Sequence, residues 1–235
     1  MNEMTPPTGR SNSQRMRLKM ELTSGTMHEA FENFWARDDL AEVLPGFLVL
    51  LHQIMRASVP LMATAATKAR ETADQDPLCL ALAEYYEKHC YEEQDHDLWT
   101  LNDLADSGFD PQAVLDAVPL PDVAGMSGAQ YYWIHHHHPV MLMGYIAVLE
   151  GSPPTGAHID AVQARTGLPE AFFRTYRFHG DVDPHHLEDL DRAIDALPLG
   201  PREMSMIGLS AMHTATVLAD CVNRLTADDA PARLQ

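Results

Sequence analysis

Apolar residues recur along most of this chain at intervals of three and four, the spacing that places them on one face of an α-helix. The alternation of apolar and polar residues that is typical of a half-buried β-strand is almost absent. Ala, Leu, Met, Glu and Arg, which favour helices, also outweigh the β-branched residues. The pattern therefore predicts an all-α fold, a single compact bundle of about seven to eight helices without internal repeats.

Proline, glycine and capping residues indicate where the predicted helices begin and end. Pro60 is expected to kink the second helix, and Gly180 and Pro184 are expected to interrupt the chain between the sixth and the seventh. The predicted helices lie at residues 27–40, 45–72, 78–108, 127–150, 156–165, 169–179, 187–197 and 202–225.

The two ends of the chain are expected to lie outside the bundle. The first 22 residues are polar, contain two consecutive prolines and lack the apolar segment of a secretory signal. Residues 1–26 are therefore expected to form a disordered or loosely ordered leader. The helical domain is expected at 27–228, followed by a C-terminal tail at 229–235.

The charge balance limits the classes of partner. The chain carries 34 acidic and 16 basic side chains, a formal net charge of −18, which disfavours nucleic acids and anionic membranes. No apolar run reaches the roughly 18–20 residues of a membrane span. Three scattered cysteines without a Cys-x-x-Cys pair argue against a disulfide framework and favour the reducing cytoplasm. A small-molecule substrate is the expected partner, and a homodimer would be ordinary for such a bundle.

One group of histidines and carboxylates lies on the third predicted helix. His89, Glu93 and His96 occupy positions i, i+4 and i+7, so a regular helix places them on one face. A Glu and a His three residues apart can reach one metal ion, as in carboxylate-bridged di-iron bundles. Each residue alone is more typical of a solvated acidic surface, but the three together favour a metal site.

A second group repeats this spacing with His179, Asp183 and His186. Two elements with the same ligand pattern suit two metal ions that face each other across a bundle. Asp183 before Pro184 is also an ordinary helix N-cap, and Pro184 is expected to prevent one unbroken helix here. A cap and a metal ligand are compatible, so both interpretations stay open.

Further candidates stand alone in the sequence. Glu150 follows six mostly apolar residues and needs a partner or a metal if it is buried, although it suits a helix end at the surface equally well. His52 lies in an apolar stretch, so it is either a core histidine or an additional metal ligand. The consecutive residues His135 to His138 point in different directions on a helix, so no single metal can bind all four. Carboxylates and histidines without thiolates suit non-haem iron or manganese.

These segments resemble the haem-oxygenase-like di-iron oxidases and oxygenases, a family also described as iron-containing redox enzymes. The resemblance covers roughly residues 45–225 and is most specific in the His-x3-Asp-x2-His sequence at 179–186. The Glu-x2-His pair at 93–96 and the Glu-Gly-Ser-Pro sequence at 150–153 support it in the same order. It implies a haem-oxygenase-like bundle that holds two irons without haem, with the ligands Glu93, His96, Glu150, His179, Asp183 and His186.

The sequence departs from the family at one ligand. Many members have a Glu seven residues before the first ligand histidine, where this chain has His89, so either His89 or Glu93 is the ligand. His52 is the candidate for a contact from the preceding long helix. The resemblance further implies two Fe(II) ions, the second weakly bound, and O2 as co-substrate. The substrate implied is an amine, amino acid or fatty-acid-like molecule in natural-product biosynthesis, and its pocket candidates are Tyr131, Trp133, Met141, Met143 and Tyr145.

Other functions on the same bundle stay open. A cofactorless oxidase resembling pyrroloquinoline-quinone synthase, or a thiaminase-II-like hydrolase, would stay active after chelation. A non-catalytic His-rich metal-binding protein would bind metal without consuming O2, and haem binding would leave the paired carboxylates without a purpose. The sequence has no Gly-rich nucleotide-binding motif, phosphate-binding loop or Gly-x-Ser-x-Gly motif, so it gives no support to nucleotide or serine-hydrolase chemistry.

Overall fold

The structure is a computed structural model that describes residues 9–234. Its α-helices are α1 (Asn12–Thr23), α2 (Gly25–Ala36), α3 (Leu40–Thr72), α4 (Leu78–Glu92), α5 (His96–Asp106), α6 (Pro111–Asp116), α7 (Pro121–His136), α8 (Leu142–Leu149), α9 (Gly156–Thr166), α10 (Arg174–Ala196) and α11 (Pro201–Arg224). Short 3₁₀ turns lie at Pro139–Met141, Glu170–Phe173 and Ala227–Asp229. The all-α prediction is confirmed, with more helices than predicted.

Helices α3 and α11 form the centre of the bundle. Helix α3 packs against α4, α5 and α7, while α11 packs against α8, α2 and α7. Both are long and apolar enough to cross a membrane by length and composition, but the core helices of soluble bundles pass the same test. At least half of each apolar window is buried inside the protein, as a core position requires.

Helix α8 crosses α11 at a distance that only glycine permits. A Cβ added at Gly144 would lie 2.2 Å from the carbonyl oxygen of Ile207 and 2.7 Å from the backbone nitrogen of Ala211. Both contact atoms belong to the α11 backbone, so no side-chain rotation would make room for a larger residue. This close packing fixes the direction of α8 and the position of Glu150 at its C-terminal end.

Two of the long predicted helices are broken in the structure. Helix α4 ends at Glu92 and α5 begins at His96, with Asp95 between them in the left-handed region at φ 68°. Aspartate adopts this conformation more readily than most residues, and no glycine or proline marks the break in the sequence. Farther along, α7 ends at His136 and a 3₁₀ turn starts at Pro139, which cannot donate a helical hydrogen bond.

The interruption expected at Gly180 and Pro184 is wrong. Helix α10 is continuous, with Pro184 inside it. Pro184 lacks the N–H group that would bond to the Gly180 carbonyl, so this helix loses one backbone hydrogen bond. A Cβ at Gly180 would lie 2.5 Å from the carbonyl oxygen of Pro154, so the helix packs tightly on the neighbouring loop at this point. Burial of its inner face outweighs the missing bond.

Both ends of the described chain pack against the bundle. Helix α1 lies in the segment expected to be a loose leader, and its Ser13 donates hydrogen bonds to the Asp195 carboxylate from both its backbone and its side chain at 2.8 Å. The first eight residues lie outside the described residues. In the expected C-terminal tail, the backbone nitrogen of Leu234 donates to the Gly108 carbonyl at 2.8 Å. These contacts attach segments that hydrophobic periodicity alone does not place in the bundle.

Candidate metal centre

The turn between α4 and α5 brings the first pair of ligand candidates together. Glu93 is the C-cap of α4 and His96 begins α5, and the Nδ1–H of His96 donates to Glu93 Oε2 at 2.9 Å. Trp99, one turn later on α5, packs over the His96 ring with the centroids 4.3 Å apart. The edge of Phe178 covers the same ring at 5.5 Å. The two aromatic side chains shield His96, which is almost fully buried.

Helix α10 contributes the second set from one continuous face. His179 donates its Nδ1–H to the Thr175 carbonyl at 2.8 Å, which leaves Nε2 as the atom available to a ligand. That Nε2 lies 3.9 Å from Glu93 Oε2. Asp183 and His186 follow one and two turns later and are both buried. The unbroken helix therefore gives this group the shared face that its spacing indicates.

The end of α8 and the last turn of α4 complete the centre. The Nε2–H of His89 donates to Glu150 Oε1 at 2.6 Å, and both side chains are shielded from solvent. The rings of His89 and His186 meet edge to face with centroids 4.9 Å apart. Tyr85 stacks on the other face of His89 at 5.7 Å. A proton thus lies between the His89 imidazole and the Glu150 carboxylate. A cation bound by the same two groups would replace this proton.

These residues form two adjacent groups of potential ligands that share Glu93. One group consists of Glu93, His96 and His179, and the other of His89, Glu93, Glu150 and His186; within each, one ligand atom per residue lies within 4.8 Å of the others. Both His89 and Glu93 belong to these groups, where the sequence left a choice between them. Asp183 lies beside the second group, with Oδ1 3.9 Å from His186 Nδ1.

Several ligand atoms at this centre have no hydrogen-bond partner. Glu150 Oε2, Asp183 Oδ1 and Glu92 Oε2 are buried and unpartnered within the described residues. His186 Nδ1 lies 3.1 Å from Glu93 Oε1, but the two atoms are not aligned for a hydrogen bond. Leaving polar atoms buried and unpaired is costly, and bound cations would remove that cost. The donor set of carboxylates and imidazoles therefore fits non-haem iron or manganese.

The charge states at the centre reflect burial and mutual contact. Burial raises the pKa of Asp183 to about 7, an effect opposed by His179 and reinforced by Glu150 and Glu93. Burial also disfavours a charged Glu93, but the neighbouring imidazoles of His179 and His96 outweigh it and hold the pKa of Glu93 well below its usual value. The centre thus contains one carboxyl that gives up its proton only near neutral pH.

A largely apolar cavity adjoins the ligand groups. Glu93, Glu150, His179 and Asp183 line it on the metal side. Its apolar walls include Phe31, Phe47, Leu51, Ile54, Met55, Met62, Ile146, Leu149, Tyr176 and Leu218. Ser58 and Tyr145 add a polar pair, with their hydroxyl oxygens 3.1 Å apart. Because Ser58 already donates to the Ile54 carbonyl at 3.0 Å, Tyr145 is the donor in this pair.

Other sequence candidates lie elsewhere. His52 lies outside both ligand groups and does not line the cavity, and its Nδ1 bonds to the Asp97 carbonyl at 2.9 Å. Tyr131 and Trp133 do not line the cavity, since α7 turns them toward other parts of the bundle; Trp133 packs on the His213 ring.

The run of four histidines and the two methionines that were expected to line the substrate pocket lie away from the cavity. His135 to His137 are exposed, and His138 accepts a hydrogen bond from Val140 N at the start of a 3₁₀ turn. Met141 and Met143 are buried in the core.

Residues that the sequence did not single out also shape the site. Tyr85, Glu92, Trp99 and Phe178 contact the ligand side chains or lie beside them. Tyr85 precedes His89 by four residues, and Trp99 follows His96 by three, so helical spacing is a signal that identifies them. Ser58 carries no such signal, because its partner Tyr145 lies far away in the chain.

Solved structures share this bundle. A domain of unknown function with a haem-oxygenase-like fold from Shewanella denitrificans is 18% identical, with 90% of this chain and 87% of that chain covered and a TM-score of 0.68. A TenA homologue from Pseudomonas syringae pv. tomato is 12% identical, with 95% and 98% covered and a TM-score of 0.68. A haem oxygenase from Leptospira interrogans is 14% identical, with 88% and 99% covered and a TM-score of 0.51. At these identities the likeness establishes the fold, which is haem-oxygenase-like.

The sequence itself assigns the family. The family model described as iron-containing redox enzyme matches residues 46–215, well over half of the chain, and the chain belongs to that family. No curated protein matches the chain. The resemblance inferred from the histidine and carboxylate motifs is thereby confirmed at the level of the family.

Proposed function

We propose that this protein is a non-haem di-iron oxidoreductase that activates O2 to oxidise a small organic substrate. The observation that carries the proposal is Glu93, a partly buried carboxylate shared by two groups of potential ligands. One carboxylate that reaches both groups is the arrangement required to bridge a pair of metal ions. Membership of the iron-containing redox enzyme family supports iron as the metal.

The protein's own residues hold the reactants and exclude water. Two Fe(II) ions, when bound by these ligands, would supply electrons and open coordination positions for O2. Trp99 and Phe178 shield the His96 side of the centre from solvent. The apolar walls of the cavity favour a substrate with a substantial hydrocarbon part, such as a fatty-acid-like molecule or an apolar amine. Tyr145 offers its phenol oxygen beside these walls to orient a polar group of that substrate.

The cysteine positions favour metal chemistry over thiol chemistry on the same bundle. The three cysteines do not line the cavity. Burial raises the pKa of the Cys90 thiol to about 11, and burial likewise raises that of Cys221 to about 11, so neither provides a thiolate at neutral pH. A thiaminase-like hydrolase that uses a cysteine nucleophile therefore has no suitable residue here.

The experiment that tests the proposal is metal stoichiometry in the wild-type chain and in single-ligand variants. Anaerobic Fe(II) titration of the wild type is expected to give two ions per chain. Glu93→Ala, which affects both groups, should bind neither ion tightly. His96→Ala should keep one ion in the group around Glu150, whereas Glu150→Ala should keep the ion near His96. His213→Ala, distant from the centre, is the matched control and should keep both ions.

Exposure to O2 then separates the competing functions. Iron-loaded protein should consume O2 with an apolar substrate present, and chelation or the Glu93→Ala substitution should abolish this uptake. O2 uptake that persists after chelation would instead establish a cofactorless oxidase. Failure of the wild type to bind Fe(II) would refute the proposal, and tight binding of two ions without O2 uptake would indicate a non-catalytic metal-binding protein.

A further inference from the structure

A second cavity lies on the opposite face of α3 from the metal centre. Leu51, Met55 and Ser58 of α3 line the metal cavity, whereas His52 and Arg56 line the second one. This groove, bounded by α3, α7 and the segment around α6, has a volume of about 350 Å³. The face of α3 that carries His52 is therefore separate from the chemistry already described.

His52, which lines the groove, has an unused hydrogen-bond acceptor. Its side chain is only 1% exposed, and its Nδ1–H donates to the Asp97 carbonyl at 2.9 Å. With the proton on Nδ1, the neutral ring has an acceptor at Nε2. That Nε2 is buried and has no partner among residues 9–234. A ligand that donates a hydrogen bond to Nε2 would satisfy this buried atom.

Two further groups at the groove lack partners. Ser127 on α7 has a buried hydroxyl oxygen without a hydrogen-bond partner in the described chain. Ser58 and Ser107 show the usual alternative for a helical serine, since each donates to the carbonyl four residues earlier. The Arg56 guanidinium is exposed and forms no ion pair with the described residues, although the chain has a net charge of −18. A free guanidinium is a ready binding group for a carboxylate.

We propose that this groove binds a small organic carboxylate that also carries an O–H or N–H donor. The carboxylate pairs with Arg56, the donor bonds to His52 Nε2, and Ser127 supplies a further hydroxyl contact. The apolar side chains of Val114 and Val123 cover the body of the ligand. The metal cavity has the opposite character, because its charged lining groups are carboxylates and histidines. The groove therefore offers an organic anion a guanidinium group, which the side chains that line the metal cavity do not provide.

Calorimetric titration of the full, iron-loaded chain with single-ring probes tests this proposal. The probes 3- and 4-hydroxybenzoate carry both groups at two separations. In contrast, 4-methoxybenzoate lacks the donor and 4-hydroxybenzamide lacks the charge. We expect one hydroxybenzoate to bind saturably at one per chain, at least about tenfold more tightly than either incomplete probe, since each lost contact is charge-assisted or leaves a buried acceptor unpaired. Absence of saturable binding by both hydroxybenzoates, or equal binding of the incomplete probes, would overturn the proposal.

Variants then assign the site. His52→Asn keeps a donor at the position of Nδ1 for the Asp97 carbonyl but removes Nε2, and Arg56→Gln removes the charge at an exposed position; each should weaken binding about tenfold or more. His213→Asn is the matched control, because that histidine also has a buried, unpartnered Nε2 but lies outside the groove, and it should bind the probe normally.

A last comparison separates the groove from the metal centre. Binding that survives Arg56→Gln but is lost in His179→Ala would place the probe in the metal cavity and refute the assignment. If His52→Asn does not fold, Arg56→Gln alone decides the outcome.

Discussion

Substitution of Gly144 by alanine tests the close contact between α8 and α11 that positions Glu150. The added methyl group would lie 2.2 Å from the Ile207 carbonyl oxygen, 2.7 Å from the Ala211 nitrogen and 3.0 Å from the Ser210 Cβ. Normal contacts of this kind are about 3.5 Å, so the two helices must separate by roughly 1 Å. The backbone of α11 cannot move aside by changing a rotamer, and the strain must therefore spread into the surrounding core.

The expected magnitude combines two opposing effects. Overpacking a core costs about 1–3 kcal/mol, and a clash with backbone atoms belongs at the upper end of that range. Alanine recovers about 0.5–1 kcal/mol, because glycine loses more chain entropy when it becomes helical. A net loss of about 2 kcal/mol in the free energy of unfolding corresponds to a decrease in Tm of about 4–8 °C for a chain of this size.

Thermal and urea unfolding of the metal-free protein measures this loss. Gly128→Ala is the matched control, since a Cβ at Gly128 in α7 would meet no heavy atom within 4 Å. That variant should gain about 0.5–1 kcal/mol in the free energy of unfolding. If Gly144→Ala is as stable as the wild type or Gly128→Ala, the two helices are not in direct backbone contact and the reasoning is refuted.

Two further predictions concern the centre and its support. Burial raises the pKa of Asp183 from its usual 3.8 to about 7 in the metal-free fold. Its contribution to folding stability is therefore present below about pH 4 and is lost as pH rises to about 7. Fe(II) affinity should increase over the upper part of that range, because the metal displaces this proton. Asp183→Asn should lower the slope of log affinity against pH by about one, unlike exposed Asp181→Asn; equal slopes in calorimetric titrations would contradict this. Buried Asp103 accepts from Thr175 N at 2.6 Å and joins α5 to α10, so Asp103→Ala should cost about 2–3 kcal/mol in urea unfolding. Asp106→Ala, at an exposed ion pair, should cost less than about 1 kcal/mol, and similar losses in both would contradict the assignment.

The family and the pairing of histidines with carboxylates could be read from the sequence because they depend on local spacing. The points at which the helices that carry these residues break or continue could not be read from the sequence. The helix around Glu93 breaks at Asp95, where no glycine or proline marks a turn, yet the break leaves Glu93 and His96 in contact. Helix α10 continues through Pro184, because packing of its inner face outweighs one missing hydrogen bond.

Contacts between residues that are far apart in the chain explain the other differences between the predicted and the observed site. The spacing of His89 and Glu150 in the chain contains no sign that they form a hydrogen bond, because their contact depends on how α8 packs against α11. The apolar sequence around His52 is compatible with a metal ligand. The tertiary fold instead places His52 outside both ligand groups, with its Nδ1 bonded to the Asp97 carbonyl. Hydrophobic periodicity determines which face of a helix is buried, whereas the element it faces depends on the tertiary fold.

Asp76, Cys79 and His138 form a third group with ligand atoms within 4.8 Å of one another, outside the two groups that share Glu93. His138 Nε2 lies 3.1 Å from Asp76 Oδ2 and 3.6 Å from Cys79 Sγ. The Val140 N–H donates to His138 Nδ1 at 3.0 Å, so the proton of the neutral ring is on Nε2. A metal on Nε2 would require that proton to move to Nδ1, where it would face the N–H of Val140.

The thiol is equally unsuited to bind metal, because burial raises the pKa of Cys79. We therefore expect this group to cap the 3₁₀ turn at Pro139–Met141 rather than bind an ion. Cys79→Ser should leave the Zn(II) and Fe(II) content measured by mass spectrometry unchanged, whereas His138→Ala should lower the free energy of unfolding by about 1 kcal/mol through loss of the cap. A third equivalent of Zn(II) in the wild type that disappears in Cys79→Ser would show that the ring changes tautomer to bind metal, and that the hydrogen bond from Val140 is too weak to prevent it.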